Sequence, residues 1–117
     1  MPLYMISFDD GAMQIPDAEL PEVAELAHGV IREAQAAGVY VFTGGFALGH
    51  EEVSVVDTDG TVTDGPFPES KEYLGGLLVV DVPSRDEALK WAAKVAAACR
   101  CAQEVREFLH DPEVHKG

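Results

Sequence analysis

The sequence predicts an α+β domain on the split βαβ plan, an antiparallel sheet with two helices on one face, elaborated by one extra hairpin. The first observation behind this is the hydrophobic pattern. It switches between a strand-like period of about 2 and a helix-like period of about 3.6 in the order strand, helix, strand, hairpin, strand, helix, strand. The second is punctuation: glycines, prolines and a helix cap fall at the switches. The third is size, since 117 residues with 47% hydrophobic and 25% charged content suit one compact domain.

Leu3 to Phe8 (LYMISF) is a bulky apolar run between Pro2 and Asp9-Asp10-Gly11, which reads as a mostly buried first strand. Asp17, Glu19, Pro21 and Glu22 open a helix, the acids complementing its dipole. Val23, Leu26, Ala27, Val30, Ile31 and Ala34 fall on one face of it, and Gly38 supplies the stop. Val39 to Phe46 turns to β-branched and aromatic residues and places Gly44-Gly45 where the strand bends or another backbone approaches closely.

Val53 to Asp57 and Thr61 to Thr63 flank Thr58-Asp59-Gly60, and Asp-Gly between β-prone runs signals a hairpin. Asp64 to Glu72 reads as a loop, because Pro66 and Pro68 remove backbone donors. Tyr73 to Val82 regains strand character, with a bulge or close approach at Gly75-Gly76 and Pro83 as its end. Ser84-Arg85-Asp86-Glu87 has the form of a capping box: the Ser hydroxyl accepts from an early amide and the Glu reaches back to the cap. Ala88, Trp91, Ala92, Val95 and Cys99 make the stripe of the second helix. Gln103 to Leu109 closes the domain as a last strand, so residues 1–109 form one domain and 110–117 a polar tail.

With both helices on one face, the other sheet face stays open. Tyr4, Ile6, Tyr40, Phe42 and Leu78 or its neighbours are assigned to that open face, and a patch of this kind is an interaction site. A face-to-face homodimer is the expected way to cover it.

The charge is large and uneven. Twenty-one Asp and Glu against eight Lys and Arg give a net charge of −13. Residues 1–70 hold thirteen acids and one base, Arg32, while residues 71–117 hold eight acids and seven bases. Such a surface repels phosphate backbones and anionic membranes, so neither nucleic acid nor membrane is an expected partner. No apolar run approaches the ~18 residues of a membrane span. Cys99 and Cys101 are too close together for an ordinary bridge and suggest a reducing, cytoplasmic setting.

The stretch Thr63-Asp64-Gly65-Pro66-Phe67-Pro68-Glu69-Ser70-Lys71-Glu72-Tyr73-Leu74-Gly75-Gly76, followed by a strand and by Ser84 to Ala92, closely resembles the DGPF-type branch of the YCII-related family. That resemblance implies a ferredoxin-like α+β domain pairing into a dimeric α-β barrel in a small bacterial protein. It also implies a small-molecule-binding protein or small enzyme. Some relatives are thought to use a His–Asp pair for acid–base chemistry, including elimination from chlorinated aromatics. DGPF members are often associated with alternative sigma factors.

On this basis Asp64 and His28 are the expected acid–base pair, in a pocket near the loop, with Phe67, Glu69 and Lys71 as substrate contacts. Each has a plainer explanation. An Asp before Gly often accepts from the next amides and merely fixes a turn. Glu69, Lys71 and Glu72 could form solvated pairs of little energetic weight, and Phe67 could anchor the loop in the core or the dimer. His28 could be an ordinary helix-surface histidine.

His110-Asp111-Pro112-Glu113-Val114-His115 collects potential metal ligands, but Pro112 disrupts their presentation. Cys99-Arg100-Cys101 has neither zinc nor redox spacing, so the two thiols are expected to be buried or half-buried. Gly44-Gly45 lacks the strand–glycine-loop–helix setting of a nucleotide site. No metal, nucleotide or other cofactor is therefore called for. The competing reading is a regulatory module that binds a protein partner, such as a sigma factor, through its acidic surface.

Overall fold

The computed structural model describes residues 2–46, 53–64 and 74–114. A four-stranded sheet is built from β1 (Leu3–Asp9), β2 (Tyr40–Gly45), β5 (Leu74–Asp81) and β6 (Glu104–Glu107), in the order β2-β5-β1-β6. Every neighbouring pair is antiparallel. β3 (Ser54–Val56) and β4 (Val62–Asp64) form a separate two-stranded hairpin between β2 and β5. Two helices, α1 (Leu20–Ala36) and α2 (Arg85–Cys99), pack against each other. An antiparallel sheet with two helices is compatible with the split βαβ plan.

The ends of the elements have local causes. α1 follows a short 3-10 turn at Asp17–Glu19 and carries Pro in its first turn, where a missing amide costs nothing. It stops where Gly38 takes φ +75° and donates to the Gln35 carbonyl. At α2 the Ser84 hydroxyl accepts from the Glu87 amide at 3.3 Å. The return half of the box is not made: the Glu87 carboxylate accepts from Lys90 Nζ at 3.1 Å instead. The hairpin turn uses Gly60 at φ +89°, with the Thr61 amide donating to the Asp59 carboxylate at 2.8 Å. Asp64, expected in a loop, is the last residue of β4 and pairs with Ser54.

The core lies between the helices and one sheet face. Tyr4, Ile6, Leu78 and Val80 from the sheet meet Ala88 and Ala92 of α2, with Ile31 of α1, Trp91, Val95 and Val105 packed around them. This reverses the expected face for Tyr4, Ile6 and Leu78, which point to the helices. Alternation sends every second side chain to the same side, so Leu3, Met5, Leu77 and Val79 take the open side. Tyr40 also packs on the core, but Phe42 stays on the open side and is 58% exposed. The register shift between Tyr40 and Phe42 inserts Val41 and re-phases the strand. The other register shift skips Gly75: Phe8 pairs with Gly76 and Asp9 with Leu74. Leu26, expected on the apolar stripe of α1, is exposed instead.

The molecule measures 45 × 43 × 18 Å. The short dimension suits one sheet and one helix layer, and among the described residues no further layer covers the Met5, Leu77 and Val79 face. Among the described residues, no helix is long and apolar enough to cross a membrane.

Candidate functional site

A pocket of about 510 Å³ opens between α1 and the sheet. Leu20, Val23, Ala24, Ala27, His28 and Ile31 form the helix wall. Their spacing is the i, i+3, i+4 repeat that brings one helix stripe toward the sheet. The opposite wall is made by Ile6, Phe8, Thr43, Gly44, Gly45 and Gly76, and Val95, Cys99 and Gln103 close one end. The glycines matter here because at Gly44, Gly45 and Gly76 backbone rather than side chain lines that wall. A Cβ on Gly76 would stand 3.0 Å from Phe8 Cε1 and 3.2 Å from the Gly44 carbonyl oxygen, so a larger residue would force the Phe8 ring to move.

The polar groups on this wall are few. The Thr43 hydroxyl donates to the Leu77 carbonyl at 2.9 Å. Gln103 Nε2 donates to the Cys101 carbonyl at 3.2 Å, and its Oε1 is buried without a hydrogen-bond partner. Cys99 is buried, and that burial, with Cys101 nearby, pushes its thiol up. Cys101 is half-buried, also pushed up by burial. Both thiols are free and placed as expected, and neither has the electropositive setting of an activated cysteine. No Asp, Glu, Lys or Arg is among the described residues lining the pocket.

His28 sits on the exposed side of α1 yet lines the pocket, which puts an imidazole at its edge. Asp64 is not among the described residues that line it. It ends β4 on the hairpin and is exposed. Phe67, Glu69 and Lys71 lie outside the described residues, as does most of the Asp-Gly-Pro-Phe segment. Among the described residues, no three of His, Cys, Asp and Glu stand together so as to hold a metal ion.

Two helix ends meet beside the pocket. Arg100, the C-cap of α2, adopts φ +58° and donates through Nη1 to Glu19 at 2.5 Å, with Glu22 3.9 Å from Nη2. These contacts tie the end of α2 to the start of α1, next to Leu20, Val23 and Cys99 on the wall. Sequence reasoning missed this tie and the roles of Thr43, Gln103 and Phe8. The signal it did hold was the pair of Gly-Gly steps, marked as places of close approach.

Comparison with known proteins adds two findings. The sequence model of the YCII-related domain matches residues 3–110. Among solved structures, the fold is similar to 5-chloro-2-hydroxyhydroquinone dehydrochlorinase from Burkholderia phenoliruptrix AC1100 in complex with 2,5-dihydroxybenzoquinone. That likeness has a TM-score of 0.50 at 15% identity and covers 95% of this chain and 97% of the other. No curated protein sequence matches this chain.

Proposed function

The chain belongs to the YCII-related domain family, and from that premise we propose that it binds a small molecule in the pocket between α1 and the sheet and acts on it by acid–base chemistry of the elimination type. The observation that carries this reading is the pocket itself: about 510 Å³, with an apolar wall and the His28 imidazole at its edge. The volume lies in the range of about 300–1,000 Å³ typical of small-molecule sites. An imidazole is the side chain best suited to moving a proton near neutral pH.

In this reading His28 takes the proton whose loss precedes departure of a leaving group. Asp64 is its proposed carboxylate partner, and Phe67, Glu69 and Lys71 are proposed ligand contacts. Support for these four comes from the Asp-Gly-Pro-Phe motif, and for His28 from its place on the wall. The structurally similar dehydrochlorinase, which holds 2,5-dihydroxybenzoquinone in its complex, is in keeping with this reading.

The proposal includes a homodimer formed through the open sheet face. In its support, Phe42 is 58% exposed beside half-buried Met5, Leu77 and Val79, and hairpin residues Val56 and Val62 are 65% and 62% exposed. An isolated two-stranded hairpin is at best marginally stable in water, so a partner surface would help hold this one. A cytoplasmic location is part of the same reading, supported by the two free thiols.

The test is a thermal-shift screen of a metabolite collection, followed by assay of each hit for turnover. Hits should vanish in Ala27→Trp, which fills the pocket. His28→Asn should keep binding and lose turnover, and Asp64→Asn should lower turnover. Hits that ignore Ala27→Trp would place the ligand elsewhere and overturn the reading.

A further inference from the structure

We infer that Gln103 is a specificity-determining contact of the α1–sheet pocket, its side-chain oxygen accepting a hydrogen bond from an O–H or N–H donor of the ligand. This rests on the reading above that the pocket is the ligand site, and it adds the chemical group that the ligand carries at the Gln103 end.

The orientation of the amide comes first. Gln103 lies between α2 and β6 and closes one end of the pocket with Val95 and Cys99. Its Nε2 donates to the Cys101 carbonyl at 3.2 Å and to the Cys101 sulfur at 3.5 Å. Both amide hydrogens are thereby spent, and exchanging the nitrogen with the oxygen would set two oxygens against each other. The oxygen is the end left over.

That oxygen lacks what the rest of the side chain has. Oε1 is sealed from solvent and has no hydrogen-bond partner among the described residues. A buried acceptor without a donor is costly, and folded chains keep few of them. A ligand donor supplies the missing partner, because Gln103 stands on the wall of a cavity of about 510 Å³. The torsion that carries the amide has a broad minimum, so a small turn brings Oε1 to the cavity side as the donor arrives.

Thr43 presents the same kind of group. Its hydroxyl donates to the Leu77 carbonyl at 2.9 Å, which leaves the hydroxyl oxygen as an acceptor. Thr43 is on β2 and Gln103 adjoins β6, the two edge strands of the sheet, so the two acceptors stand toward opposite sides of the pocket. A ligand that lacks the donor leaves Oε1 unpaired. A site built to hydrogen-bond discriminates best in that situation.

Two fluorescent probes of one skeleton test this: 2-naphthol, which carries a donor, and 2-methoxynaphthalene, in which a methyl group replaces the hydroxyl hydrogen. Each is titrated against the full chain. Naphthol should bind one per chain and about tenfold more tightly than the ether. In Gln103→Leu the gap should close to within about twofold, whereas Gln103→Glu, which retains an acceptor, should keep it. In the wild type, the side-chain amide resonances of Gln103 should shift with naphthol and stay in place with the ether. Ala27→Trp should abolish binding of both probes and Ala27→Leu should weaken it, the milder variant serving if the larger one fails to fold.

Equal binding of the two probes, or a naphthol preference that survives Gln103→Leu, would overturn the Gln103 contact while leaving the pocket as the site, so long as the Ala27 variants still lose binding. Loss of the preference in Gln103→Glu as well as in Gln103→Leu would also overturn it, because the bonds to Cys101 would then matter and not the acceptor. Naphthol binding that is indifferent to both Ala27 variants would remove the pocket reading and this inference with it, as would binding of neither probe.

Discussion

Phe8 and Gly76 face each other across β1 and β5, and a Cβ built on Gly76 would stand 3.0 and 3.1 Å from two ring carbons of Phe8. The glycine is therefore what leaves room for the Phe8 ring beside it at the pocket wall. Gly76→Ala should destabilise the fold by about 1–3 kcal/mol, the usual cost of overpacking. Urea denaturation checks this, and adding Phe8→Leu should recover part of the loss, because the two residues are in contact and their effects are not additive.

The face assignment makes a second prediction. Ile6 is 1% exposed and belongs to the core, so Ile6→Ala should cost about 2–5 kcal/mol. Phe42→Asp changes a side chain on the open face. It should leave the circular dichroism spectrum unchanged while shifting the protein from dimer to monomer in analytical ultracentrifugation. A wild-type chain that sediments as a monomer at high concentration would count against the proposed dimer.

The half-made capping box separates two residues that sequence treats as one unit. Ser84→Ala should lower stability by about 1 kcal/mol, the typical value for a lost N-cap. Glu87→Ala should cost only a few tenths, since the carboxylate serves an exposed pair with Lys90. Equal losses in chemical denaturation would mean that the reciprocal bond forms in solution.

Cys99 predicts a pH dependence. Burial, and secondarily Cys101, raise its thiol above the ordinary value of 9.0, so the native state holds the thiol proton more tightly than the unfolded chain does. The resulting stability is complete below the ordinary value and is lost as pH rises through the raised one. Tyr4, raised by burial and then by Glu107, adds a loss at still higher pH. Comparing urea midpoints of wild type and Cys99→Ala across pH 7 to 11 isolates the thiol: the wild-type curve should fall more steeply.

Much of this architecture was legible in the sequence. Leu3 to Phe8, the Thr58-Asp59-Gly60 turn, Ser84 and Gly38 announce themselves because each obeys a local rule of period, turn geometry or capping. The faces of the sheet were not legible. β1 is apolar on both sides, so alternation alone cannot say whether Tyr4 and Ile6 or Leu3 and Met5 meet the helices, and a bulge at Val41 re-phases β2. The same applies to the site. Gly44-Gly45 and Gly75-Gly76 marked a close approach. The pocket, however, is assembled from α1, the three strands β1, β2 and β5, and the C-terminal part of α2 with Gln103 after it, and no short-range pattern records that meeting. His28 was singled out through a family likeness, and its place on the pocket wall comes from the helix register. The Arg100–Glu19 tie joins residues 81 positions apart, beyond the reach of any spacing argument.

The most direct test of the pocket as the ligand site is a ¹⁵N–¹H NMR titration of the full chain with N-phenyl-1-naphthylamine. The account predicts shift changes concentrated at Ala24, Ala27, His28, Thr43, Gly44 and Gly76, with saturation at one probe per chain. Changes centred on Met5, Phe42 and Val79 of the open sheet face, with the α1 amides unmoved, would contradict it.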